Sequence, residues 1–128
     1  MLRRFLSLGV MSGLLAFSLP AAARPELASG DQLLNTDVAG CLATADQFIQ
    51  SLNIESSQGS MDRTGYFEDG VFRIVCYSAG EDHSLAVVVV SHAGDRVTVA
   101  DFVQFALTSL HQIDTPTEPM APSAQALP

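Results

Sequence analysis

Residues 69 to 77, Asp69-Gly70-Val71-Phe72-Arg73-Ile74-Val75-Cys76-Tyr77, decide the fold. Asp-Gly tolerates positive φ in a two-residue hairpin loop, so it marks the start of a returning strand. The side chains after it alternate. Phe72, Ile74 and Cys76 share one face, and Val71, Arg73, Val75 and Tyr77 share the other. Cys76 has a single possible partner, Cys41, because the chain holds two cysteines. An even count in an exported chain reads as one disulfide. Closing a loop of about 35 residues stabilises a small fold by ~3–4 kcal/mol in the chain-entropy model.

Upstream, Arg63 to Glu68 makes a weak first strand of the hairpin, and the polar stretch Ile54 to Ser60 reads as a loop. Before it, Val38, Cys41, Leu42, Ala45, Phe48, Ile49 and Leu52 fall on one stripe at helical spacing. Thr36 or Asn35 is expected to cap this helix, with Asp37 favourable in its first turn and Asn53 at its end. Cys41 then lies on the buried face. It meets Cys76 only if Phe72 and Ile74 also face the helix.

Downstream, Ala79-Gly80-Glu81-Asp82 forms a turn. Leu85 to Val90 is a continuous apolar run, as expected of a central strand covered on both faces. A second helix is expected to start at Thr98-Val99-Ala100-Asp101, a capping-box-like sequence, with Val97 and Phe102 as a hydrophobic staple. Phe102, Phe105, Ala106, Leu110 and Ile113 supply its apolar stripe. The expected fold class is α+β: a small two-layer domain of order α-β-β-β-α, an antiparallel three-stranded meander packed with two helices and one disulfide. In element order alone it resembles small secretion-chaperone-like domains, a likeness of architecture that assigns no residue a role. The domain occupies residues 36–113. Residues 24–35 read as an extended lead-in, and residues 114–128, with four prolines, as a disordered tail.

The first 23 residues read as an address. Arg3 and Arg4 precede an apolar stretch from Phe5 to Leu19, Pro20 breaks it, and Ala21-Ala22-Ala23 supplies small residues for cleavage. This is the pattern of a secretory signal peptide, too short in its apolar part for a stable membrane anchor. A periplasmic or secreted chain starting at Arg24 follows. Val38-Ala39-Gly40-Cys41 matches a lipobox, but it stands 20 residues beyond the apolar segment, and Arg24, Glu26, Asp31 and Asp37 intervene.

Losing Arg3 and Arg4 leaves four arginines against fourteen acids, a net charge of −10. Such a surface repels nucleic acid and anionic lipid. The absence of lysine excludes Schiff-base and P-loop chemistry, and the absence of tryptophan weakens any indole platform for sugars. Of the three histidines, His83 and His92 lie roughly 30 Å apart along one strand, too far to share a metal. His83 and Asp82 at a turn, with His111 near the end of the second helix, are weak metal candidates. Ser91, His92 and Asp95 are the residue types of a hydrolytic triad, but Ser91 and His92 point to opposite faces. The sequence therefore assigns no catalytic residue and no cofactor. Val71, Arg73, Val75 and Tyr77 become a candidate interface if both helices cover the Cys76 face, and ordinary core if one helix covers each face. The expected function is an exported, non-enzymatic interaction module acting through that sheet face on a protein partner or a second copy. The alternatives are an acidic inhibitor or immunity-type protein that binds a basic enzyme, and a small-ligand or metal binder.

Overall fold

The computed structural model describes residues 24–115. Along the chain run β1 (Glu26–Leu34), α1 (Val38–Leu52), β2 (Glu55–Gln58), β3 (Asp62–Phe67), β4 (Gly70–Ser78), β5 (Ser84–His92) and α2 (Arg96–Asp114). Residues 1–23, expected to be a signal peptide, and residues 116–128 of the expected tail lie outside the described residues. The strands form one antiparallel sheet in the order β1-β5-β4-β3-β2. The fold is α+β with the Cys41–Cys76 bond, but the sheet has five strands, not three.

The added strands come from the segment expected to be an extended lead-in and from the one expected to be a loop. The lead-in is β1, which pairs along its whole length with β5, from Glu26 opposite His92 to Leu34 opposite Ser84. Its alternation is weak because Gly30 stands where an apolar residue would announce the buried face. A Cβ there would lie 2.8 Å from both Leu107 Cδ1 and Val103 Cγ1 of α2, so a larger residue would have to displace these side chains. Leu34, fully buried, anchors the strand. Polar, exposed Glu55–Gln58 forms β2 by pairing with β3, from Glu55 opposite Tyr66 to Gln58 opposite Arg63.

The hairpin at the centre turns one residue earlier than Asp69-Gly70. Phe67 pairs with Gly70, so Glu68 and Asp69 form the loop, with Asp69 at φ 59°. Gly70 is held by a contact instead of its backbone angle. The Phe67 ring lies across it, 2.4 Å from where a Cβ would stand. From there Phe67 stacks on His92 at 5.9 Å and on Phe102 at 5.2 Å.

Helix α1 begins with Asp37 itself as the N-cap. Its carboxylate accepts the Gly40 amide at 2.9 Å, so neither Asn35 nor Thr36 is needed. Asn53 ends it in the left-handed conformation. Helix α2 starts three residues earlier than the capping-box reading, with Asp95 in place of Thr98 as its N-cap. Asp95 accepts the Val97 amide and the Thr98 hydroxyl, each at 2.9 Å. Val97 consequently points to solvent at 63% exposure, and no staple forms. The buried stripe is Val99, Val103, Ala106 and Leu110, while Phe105 remains 51% exposed at the edge.

The core lies between the two helices and one sheet face. Phe72, Ile74, Cys76, Ala86, Val88 and Val90 meet Cys41, Ala45, Phe48 and Ile49 of α1 and the α2 stripe. The five phenylalanines among the described residues form one group, with Phe72–Phe102 at 4.8 Å and Phe48–Phe72 at 5.9 Å. The cysteine Cα atoms are 6.0 Å apart, and the bond ties α1 to the middle of the sheet. Arg63 fastens the same helix to β3, its Nε donating to Asp46 Oδ1 at 2.7 Å.

Candidate functional site

Both helices pack on the Cys76 face, so the odd-numbered face of β4 has no layer over it among the described residues. The strand register lays this face out in four rows. Leu33, Leu85 and Tyr77 form one end, followed by Asp31, Val87, Val75 and Asp62. The third row is Ser29, Val89, Arg73, Thr64 and Ser57, and the last is Leu27, Ser91, Val71, Tyr66 and Glu55. Down the middle runs a ladder of half-buried Leu85, Val87 and Val89 on β5 beside Val71 and Val75 on β4. The apolar run Leu85–Val90 is therefore covered on one face only. Its even residues fill the core, and its odd residues Leu85, Val87 and Val89 lie half-buried on the open face.

Arg73 crosses the face next to the ladder. Its Nε donates to the Thr64 hydroxyl at 3.1 Å and stands 3.4 Å from Asp62 Oδ2, with more than half of the side chain exposed. Tyr66 and Tyr77 are both close to half exposed at opposite ends of the face. The face thus offers an apolar centre, aromatic margins and one cation held in place by two neighbours. Among the described residues it contains no pocket, so what it offers is a broad surface.

The four residues singled out from the sequence, Val71, Arg73, Val75 and Tyr77, do share this face. Sequence reasoning missed Leu27 and Leu33, which extend it onto β1, and Tyr66 and Asp62 on β3. The period-2 spacing of Leu27, Ser29, Asp31 and Leu33 carried the signal, diluted by two polar residues.

The histidines are spent locally. His83 Nδ1 lies 2.8 Å from the Glu81 carbonyl, and His111 Nδ1 is 3.5 Å from Gln32 Nε2. Among the described residues no three His, Cys, Asp or Glu side chains group closely enough to hold a metal, so Asp82, His83 and His111 do not assemble a site. Ser91 stands on the open face, while His92 stacks on Phe67 on the other. Asp95 caps α2, and the Val97 and Thr98 hydrogen bonds hold its carboxyl below the usual aspartate range. The Ser-His-Asp types thus occur together in sequence without forming a triad. No helix among the described residues is long and apolar enough to cross a membrane. No family model matches the sequence, and no curated protein is detectably similar to it.

Proposed function

We propose that this chain is an exported, non-enzymatic interaction module that binds a protein partner through the open face of its sheet. The observation that carries the reading is the uncovered apolar ladder of Val71, Val75, Leu85, Val87 and Val89 with Arg73 beside it and tyrosines at its ends. Tyrosine and arginine are enriched at protein interfaces, and contiguous apolar surface of this kind marks binding sites. The buried disulfide supports an oxidising compartment, in line with the leader-like first 23 residues. A second reading, an inhibitor of a basic enzyme, draws on Asp31, Asp62 and Glu55, acids on the same face of a chain with net charge −8 before processing.

Adjacent residues of β5 test the proposal. Val89 stands on the open face opposite Arg73, which accommodates a carboxylate there. Val89→Asp should leave circular dichroism unchanged and abolish capture of the partner from the native envelope. Val88→Asp places the charge in the fully buried core and should unfold the domain. Capture that survives Val89→Asp, or a Val89→Asp protein that unfolds, sinks the reading. Capture weakened steeply by salt would favour the inhibitor.

A further inference from the structure

We infer that two copies of this chain pair antiparallel along β1 about a two-fold axis at Gly30, joining their sheets into one ten-stranded sheet. β1 is the end strand of the sheet order, and among the described residues no strand lies on its outer side. Edge strands are usually blunted by lysine, proline, a bulge or inward charges. Glu26–Leu34 has no lysine and no proline, and its register with β5 runs through nine residues without a skip.

Symmetry and side-chain direction choose the register. If both copies keep their helices on the same side, odd residues must pair with odd residues, so the axis passes through a residue. Centring on Asp31 would set two like charges face to face, and centring on Ala28, Ser29 or Gln32 leaves part of the strand unpaired. Centring on Gly30 pairs all nine residues and places Asp31 opposite Ser29 of the other copy. It also places Leu27 opposite Leu33 at both ends of the interface. These leucines are 68% and 54% exposed, two of the most exposed large apolar side chains among the described residues. On the helix side Gly30 meets Gly30, where neither copy has a side chain. The middle of the α2 stripe that leans over β1 is uncharged, with Leu107 over Gly30 and His111 reaching Gln32, and its charges stand at the two ends, where Arg96 lies 3.6 Å from Glu26 Oε2 and Asp114 accepts the Asn35 amide.

The tail is the rival occupant, because α2 ends beside β1, with Asp114 Oδ2 accepting the Asn35 amide at 2.8 Å. Residues 116–128 carry proline at 116, 119, 122 and 128, on both alternations of a strand, so a ladder from that segment would lose donors in either phase. A second copy loses none.

The test uses the mature chain, produced with its own leader and oxidised, with molar mass read by light scattering and folding by circular dichroism. The unsubstituted protein should be a dimer. Leu33→Glu and Leu27→Glu, each folded, should weaken dimerisation at least tenfold, the second also through repulsion from Asp31 of the other copy. The double variant Leu27→Lys with Leu33→Glu should restore the dimer. The two sites lie six residues apart in one strand, so the new ammonium and carboxylate meet only between copies. A monomeric unsubstituted protein, a dimer indifferent to both single variants, or a double variant that stays monomeric overturns the inference. So does a dimer that forms only after removal of residues 116–128, which would make the tail the native occupant. Val89→Asp should leave this dimer intact, so failure of the edge pairing and failure of the open-face reading are separable.

Discussion

Single residues carry the strongest constraints on this fold. Cys41 and Cys76 are fully buried, so breaking their bond costs cross-link and packing together. Cys41→Ser is expected to lower unfolding free energy by about 2–5 kcal/mol in urea titrations, with no loss of native circular dichroism before the earlier transition. Gly70 and Gly65 act by lacking a side chain: a Cβ at Gly65 would stand 2.3 Å from the Phe72 ring. Asp95 acts through its charge. Its carboxyl is held below the usual aspartate range by the Val97 amide and Thr98 hydroxyl it accepts. Its contribution is therefore complete above the unfolded aspartate value of about 4 and is lost as pH falls through the lower folded value. Asp95→Asn keeps an acceptor at the cap but removes that titration. The variant should show a flatter acid limb in thermal midpoint against pH. An unchanged acid limb would remove Asp95 from the account.

Among the elements, β1 separates expectation from outcome most clearly. As a lead-in it would contribute little. As a strand it floors α2 and covers β5. Leu34 tests this directly, since it is fully buried at the strand's end. Leu34→Ala should cost about 2–5 kcal/mol by chemical denaturation, the usual range for a buried leucine. A loss of a few tenths would mean the segment is peripheral after all. The helices were legible because their apolar residues repeat within a few turns and need no distant partner. Their starts were less so. Asp37 and Asp95 each stand beside other good caps, and which of them aligns with the free amides depends on the angle at which the chain leaves the preceding strand.

On the scale of the whole molecule, two helices lie on one face of a five-stranded sheet, and no layer covers the other face among the described residues. This asymmetry makes Val88→Asp and Val89→Asp, one residue apart, differ so sharply in their expected effect. It also keeps apart the two surfaces proposed for contacts, the apolar ladder at the centre of the open face and the β1 edge. If two copies join along that edge, Leu27 of one meets Leu33 of the other, which stands beside Leu85 of its own ladder, while Ser91 separates Leu27 from Val71.

The two amphipathic helices, the central hairpin, the apolar β5 and the cysteine pair are legible in the bare sequence, because each depends on short-range periodicity or on a count with one solution. The sequence also showed which side chains of β4 share a face. Tertiary pairing was needed to show that Glu26–Leu34 and Glu55–Gln58 are strands, since a strand becomes one by hydrogen bonding to a neighbour, and the neighbour of β1 lies fifty or more residues away. The tertiary structure alone decided that both helices occupy the Cys76 face. A strand covered on one side and a strand covered on both can share the same run of valines, and only the placement of the other layer distinguishes them.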